Sequence, residues 1–405
     1  MKLLQEEINN LLNTEKITPD DFIIPFSHEE YHQRLNRVRQ LMEKEKIDLL
    51  FVSSQEGMCY FHGYQTNWYQ INWPPLSGTA IHIDSDQMIH FDFCDEINSL
   101  RSTSILNDIR FYPDFSNHLL SFLLNELKKA GWLTSRVGLE LSGCRPGRVI
   151  SQQMEKAFIS SDLIVKDTTT LLKKVMLQKS PREIEYIERA AFIVEVGHKA
   201  LMTHLRPGVS ELDMAAEVNY AMMKQGGEQA SLILALRSGP LASFHGMPTK
   251  RIIKPQDTVA MDPCGVVNRY HANLARAYYL EDPPESLVKL YKLAGNAFRL
   301  FSSLAKADTP IALVNKEMRR YYQQSGIWEL RDWVGGYGLG LSFPPDWVCD
   351  KIFTIDEEQP EGAFVENFVC NYESRFRTFL IDSFVIQREG AKRLTTLTPE
   401  LIIVG

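Results

Sequence analysis

Val259-Ala260-Met261-Asp262-Pro263-Cys264-Gly265-Val266-Val267-Asn268-Arg269-Tyr270-His271-Ala272-Asn273-Leu274-Ala275-Arg276 is the segment from which the rest of this chain can be understood. It lies in a region, 231–280, that reads as strands joined by turns. Asp262 is followed by Tyr270 eight residues on, Asn273 eleven on and Arg276 fourteen on. Beyond His271 the chain contains no further histidine. A hard or borderline dication is held by anionic oxygen and imidazole. The C-terminal third can offer no imidazole at all.

The 405 residues are enough for two domains with cores of their own. Apolar residues make up 44%, an ordinary share for a globular chain. A net charge of -7 disfavours nucleic acid and anionic membranes as partners. Mixed-sign pieces such as Met42-Glu43-Lys44-Glu45-Lys46 read as solvated helix faces. Met1-Lys2-Leu3-Leu4-Gln5-Glu6-Glu7 lacks the basic start and apolar run of a signal peptide, and no stretch has the apolar length of a membrane span. The six cysteines have no C-x-x-C spacing and read as reduced thiols, most of them small buried hydrophobes, in a cytoplasmic protein.

Strand and helix patterns alternate up to about residue 170. Ser27-His28-Glu29-Glu30 opens an amphipathic helix over 27–46, with Tyr31, Leu35 and Val38 on one face. Strands are expected at 47–52, 78–83, 88–93 and 137–140, and a helix at 117–130. This is the pattern of an α/β domain, assigned to residues 1–170. A second domain, 171–405, follows. Ser180-Pro181-Arg182-Glu183 and Ser210-Glu211-Leu212-Asp213 are capped helix starts. Helices are expected near 284–304 and 311–324, and short strands from 363 to 397. Two helices then sheet, twice over, suggests a duplicated half.

Segment 259–276 resembles the metal-binding strand pair of the pita-bread family, which includes aminopeptidase P, prolidase, methionine aminopeptidase and creatinase. Lys179-Ser180-Pro181-Arg182-Glu183-Ile184-Glu185-Tyr186-Ile187 looks like the start of that family's catalytic domain. The resemblance implies an α/β N-terminal domain followed by an α+β pita-bread (creatinase/aminopeptidase) catalytic domain. It also implies five metal ligands, and this chain departs from most of them. Asp262 is kept. Asn273 replaces the second Asp. In Gly336-Tyr337-Gly338-Leu339-Gly340, Tyr337 takes a His position, and Pro344 and Pro345 take a His-Glu pair. The two Glu positions fall on Phe368 and Ile381, with Glu366 and Asp382 as neighbouring carboxylates. The resemblance therefore implies a site with no metal and no cofactor.

Creatinase is the family's precedent for such a site, with a retained His that handles protons. In Ser238-Gly239-Pro240-Leu241-Ala242-Ser243-Phe244-His245, His245 takes that place. Two further stretches are similar to ectoine hydrolases, a metal-independent creatinase-like branch. They are Gly265…Asn268-Arg269-Tyr270-His271 and Gly338-Leu339-Gly340-Leu341-Ser342-Phe343-Pro344-Pro345-Asp346-Trp347. That branch carries Glu at the position of Asp262, and Gly-Glu where this chain has Val348-Cys349. The implied activity is hydrolysis of a non-peptide C–N bond (amide, amidine or guanidine) in a small nitrogen-rich carboxylic acid. His245 would give and take the proton. Asp262 would act as base or as nucleophile. Tyr270, His271, Asn273, Tyr337, Trp347 and Asp382 are the expected substrate-binding residues. The aromatic run from Tyr60 to Tyr69, with Trp73, is a further candidate pocket wall, and equally reads as core and dimer-interface aromatics. Arg269, Arg276, Arg375 and Arg377 are candidates to hold a substrate carboxylate. A homodimer is expected by resemblance. The rival expectations are an Xaa-Pro metallopeptidase and a non-catalytic binding protein.

Overall fold

A computed structural model describes residues 18–70, 76–113 and 118–404. Met1–Glu7, Trp73 and Asn117, each used in the reading above, lie outside the described residues. The chain divides into two compact units, 1–172 and 173–405.

The first unit contains α1 (His28–Glu45), β1 (Leu49–Val52), α2 (Gln55–His62), β2 (Gly78–His82), β3 (Met88–Asp92), α3 (Ile97–Thr103), β4 (Ile109–Phe111), α4 (Leu119–Lys129), β5 (Arg136–Leu139), α5 (Arg148–Ile159) and β6 (Ile164–Asp167). Its sheet runs β4-β3-β2-β1-β5-β6. Ser27 caps α1 through a side-chain oxygen that accepts from the Glu30 amide. Central strand β1 is buried along its whole length, as Leu-Leu-Phe-Val predicts for a strand covered on both faces. Tyr60, Phe61, Tyr64 and Tyr69 are buried within this unit rather than lining a pocket wall. The aromatic run belongs to the core because α2, missed in the sequence, turns it inward.

The division falls within α6 (Thr169–Leu177). Unit 2 then has α7 (Pro181–His204), α8 (Glu211–Lys224), β7 (Ala235–Ser238), β8 (Thr258–Asp262), β9 (Cys264–Val267), β10 (Tyr270–Asn273), β11 (Arg276–Leu280), α9 (Glu285–Leu304), α10 (Ile311–Gln324), β12 (Trp333–Gly338), β13 (Asp350–Thr354), β14 (Val369–Arg375), β15 (Ile381–Ile386), β16 (Ala391–Arg393) and β17 (Ile402–Val404). Both Ser180 and Ser210 form reciprocal capping boxes, with Glu183 and Asp213. The two helix-pair-then-sheet halves are present: β17-β11-β8-β7 is one sheet and β13-β12-β14-β15-β16 the other. One apolar core gathers Leu201, Met214, Val218 and Leu236 under the first sheet. A second gathers Phe298, Phe301, Tyr372 and Phe384 under the other. Each such side chain, fully buried, contributes about 1.5–3 kcal/mol.

Hairpin β9–β10 pairs separately, with Asn273 opposite Cys264. Its turn residues Asn268 and Arg269 both have positive φ, 49° and 64°. This is the backbone twist that two-residue hairpins favour. Gly265 lets β9 press against α7, because a Cβ there would lie 2.0 Å from the Ala190 carbonyl oxygen. A Gly265→Ala change would push the hairpin off the helix.

Candidate functional site

Asp262 ends β8 and Asn273 ends β10, so the hairpin brings them together. The Asn273 amide nitrogen donates to Asp262 Oδ1 at 2.7 Å and to the Pro263 carbonyl at 3.2 Å. Both partners are acceptors, which fixes which end of the amide is nitrogen. Asn273 Oδ1 therefore points the other way. It is buried and receives no hydrogen bond among the described residues. The backbone beneath is pinned by Ser383 of β15, whose hydroxyl accepts from the Asn273 amide and donates to its carbonyl, both at 2.9 Å.

Burial pushes the Asp262 carboxyl up to about 7, and the nearby Glu373 charge adds to this. The Asn273 donor and the Arg375 charge act in the other direction. Burial also raises the Cys264 thiol, helped by the Asp262 charge, so this sulfur stays protonated.

Tyr337 lies on β12 beside an irregularity in its pairing with β13. Burial is the first cause of its raised pKa, followed by Glu373, Asp262 and Cys264; it is a neutral phenol facing acids. The Trp347 indole N–H donates to its hydroxyl at 2.9 Å, with the rings edge-on 5.9 Å apart. An indole N–H can only donate, so the Tyr337 oxygen is the acceptor there.

Glu373, on β14, was not identified from the sequence. It is buried, and burial raises its carboxyl against the lowering effects of Arg375, Tyr337 and Asn371. The Asn371 amide donates to Oε1 at 3.3 Å, and Arg375 Nε lies 3.2 Å from Oε2. That approach is off the N–H axis, since Nε is buried without a hydrogen bond; it is a charge contact only. A signal was available: Glu373 and Arg375 fall two residues apart, on one face of a strand that is buried up to Ser374. Two opposite charges on one face of a buried strand need a reason. Phe368 instead packs in the core and Glu366 pairs outside with Arg388 at 3.1 Å.

His245 is exposed on the loop before β8. Phe244 anchors that loop against Ala275 and Ile381. Partial burial lowers the His245 pKa, and Arg375 lowers it further, so the ring is neutral at pH 7. His245 and Asp262 thus share Arg375 as a charged neighbour, although among the described residues no hydrogen bond joins them.

The structure brings Asp262, Asn273, Tyr337 and Trp347 into one site, but not Tyr270, His271 and Asp382. The Tyr270 hydroxyl donates to Glu183 at 2.9 Å, tying the hairpin to the cap of α7. His271 is fully buried. Its Nε2 accepts from the Ser231 amide at 3.2 Å and its Nδ1 faces the Arg269 carbonyl at 2.9 Å. Burial drives it to about 3, so it is neutral. Asp382 is fully buried against Arg276 at 2.7 Å and accepts from Thr395. These three hold the fold, because their polar atoms are taken up by protein partners.

The four arginines separate in the same way. Arg276 is fully buried and donates to Asp382 and to four backbone carbonyls, those of Ala275, Ile381, Leu397 and Thr398. Arg269 donates to Gln229, Ser231 and Ser342. Arg377 pairs with Asp332 at the surface. Only Arg375, of these four, faces Asp262, Glu373 and His245.

Two family models match the chain: the creatinase/prolidase N-terminal domain over residues 34–175, and metallopeptidase family M24 over 185–370. Ectoine hydrolase of Halomonas elongata is 25% identical over 351 residues, spanning 80% of this chain and 84% of that protein. An Xaa-Pro dipeptidase of Pyrococcus furiosus is 24% identical over 373 residues, spanning 91% and 99%. The solved X-Pro aminopeptidase of Thermotoga maritima superposes with a TM-score of 0.76 at 19% identity, over 91% of this chain and 99% of that one. The fold is thus the pita-bread fold of the prolidases and aminopeptidase P, behind a creatinase-type N-terminal domain. No helix among the described residues is long and apolar enough to cross a membrane.

A metallopeptidase family implies a metal centre, and the donors here do not fit one. Among the described residues no three His, Cys, Asp or Glu side chains converge to hold an ion. Asp262 and Glu373 are the carboxylates of the site, and Glu373 already faces a guanidinium. Asn273 presents its N–H groups, not its carbonyl, to Asp262. A dication here would meet fixed positive charge and an amide donor.

Proposed function

We propose that this chain, which matches the M24 metallopeptidase model over 185–370 and the creatinase/prolidase N-terminal model over 34–175, is a hydrolase that works without metal on a non-peptide C–N bond in a small nitrogen-rich carboxylic acid. One observation carries the reading. Asp262, the acid left at the head of the hairpin, accepts a hydrogen bond from the Asn273 amide, and burial poises it near 7. An acid poised near the working pH can both take and give a proton.

In this reading Asp262 takes a proton from the attacking water as oxygen bonds to the carbon, or attacks the carbon itself and is released by water afterwards; as the C–N bond breaks, that water proton reaches the leaving nitrogen through His245, whose neutral ring accepts one proton as it gives up another. Glu373 and Arg375 form a charge-balanced pair beside them. Tyr337 and Trp347 cover the position with an apolar wall that strengthens the remaining charge interactions. The homology to ectoine hydrolase supports this class of substrate.

The homology to Xaa-Pro dipeptidases over nearly the full chain supports a second reading, cleavage of Xaa-Pro dipeptides. One set of assays separates the two. Protein purified without chelator is analysed for transition metals, screened by thermal shift against ectoine, creatine, hydantoins and betaines, and then followed for product. Turnover of a cyclic amidine or guanidino acid at sub-stoichiometric metal is expected. Manganese-stimulated cleavage of Xaa-Pro dipeptides, with a stoichiometric ion, would overturn the first reading in favour of the second.

A further inference from the structure

Two polar groups at the site have unused bonding capacity of opposite kinds. Asn273 Oδ1 is an acceptor in a residue only 1% exposed, and among the described residues no donor reaches it. Leaving such a group unpaired is destabilising unless something arrives to satisfy it. Its own nitrogen holds Asp262, so the amide cannot flip to escape without losing that bond. Arg375 is the converse. Its guanidinium rests between the rings of Phe244 and Trp333, at 5.3 and 5.0 Å. Its Nε touches Glu373 only by charge, and its two terminal nitrogens donate to nothing among the described residues. Its side chain is 20% exposed, enough for a ligand to reach.

We propose that Asn273 and Arg375 are the two specificity-determining residues of the site, Asn273 Oδ1 accepting an N–H of a cationic amidine or guanidine and the Arg375 fork binding the same molecule's carboxylate. This rests on the reading given above and narrows it. An acceptor paired with the Asp262 carboxyl group selects a nitrogen that bears hydrogen. Fully alkylated betaines, which have no N–H, would leave Asn273 Oδ1 unpaired and are rejected. Neutral carboxamides are rejected at Arg375, because a guanidinium fork matches the two oxygens of a carboxylate. The pairing between Arg375 and Glu373 keeps the fork oriented while its terminal nitrogens stay available.

Isothermal titration with three probes tests the assignment: ectoine, ectoine methylated on the ring nitrogen remote from the carboxylate, and ectoine carboxamide. The native chain is expected to prefer ectoine over the methylated probe roughly ten-fold and over the carboxamide roughly 10- to 100-fold, the usual worth of one neutral and one charged hydrogen-bonding contact. Asn273→Leu, close in volume, should lose only the first preference; a purely steric effect of the methyl group would survive in it. Arg375→Met should lose only the second. Asn273→Asp keeps an acceptor at the same place and should keep the first preference, which guards against misfolding of the leucine variant. A variant that retains the preference assigned to its residue, while the native chain binds ectoine, overturns this inference alone. Failure of the native chain to bind ectoine, creatine or guanidinoacetate overturns the underlying reading as well.

Discussion

Replacing Asp262 with asparagine should make the protein more stable at alkaline pH while abolishing turnover. In the folded chain burial lifts this carboxyl from its ordinary 3.8 to about 7. The folded state therefore binds a proton that the unfolded state has already released between these values. Stability contributed by the neutral acid is complete below about pH 4. It drains away as pH rises through about 7, where the charge must be carried in a buried site. A rise from 3.8 to about 7 sets a ceiling of about 4 kcal/mol on the cost. Asp262 and Glu373 titrate as neighbours, so part of the slope belongs to the pair. The substituted side chain would keep an acceptor for the Asn273 amide and carry no charge. Urea unfolding of both proteins from pH 4 to 8.5 should show no difference at the acid end and a gain of about 2–4 kcal/mol for the variant at pH 8. A variant that is equally or less stable at pH 8 would show that Asp262 is not a charge buried at a cost, and the argument for a poised acid would collapse.

Other perturbations discriminate in different directions. His245→Ala should lower kcat by about 10²–10⁴-fold and leave the melting temperature unchanged, since the ring is exposed; unaltered kinetics would remove His245 from the mechanism. Glu373→Gln deletes the charge that helps raise Asp262. The acidic limb of the kcat/KM profile should therefore move to lower pH, and an unmoved limb would mean that another group sets it. Arg276→Met leaves the buried Asp382 carboxylate with only the more distant Arg393 as a cationic partner, at 3.6 Å, and should cost about 3–5 kcal/mol in urea titrations; a loss under 1 kcal/mol would contradict its structural assignment.

The fold was readable because its signals are local and mutually consistent. The capping boxes at Ser180 and Ser210 place α7 and α8, and the spacing within 259–276 places the hairpin. The site was only half readable. Asp262 and Asn273 are eleven residues apart and meet through that hairpin, so counting finds them. Glu373 reaches the same point from a different sheet, and counting along an intervening loop landed on Phe368. Tyr270, His271 and Asp382 carry the right chemistry at the right spacing, but spacing does not reveal which polar atoms are taken by neighbours. The arginines make the same point, since separating Arg375 from Arg276 required the bonding of every N–H.

The hydrogen bond from Trp347 to Tyr337 gives the chain an optical reporter without any added label. This indole is only partly shielded from water, and its N–H ends on a phenol that itself faces the acids of the site. Trp333 lies under the guanidinium on the other side. Any molecule that displaces the phenol or draws away the guanidinium changes the surroundings of one chromophore or the other. The emission of Trp347, isolated by comparison with Trp347→Phe, and that of Trp333, isolated by comparison with Trp333→Phe, can therefore follow occupancy in real time, before any product has been identified.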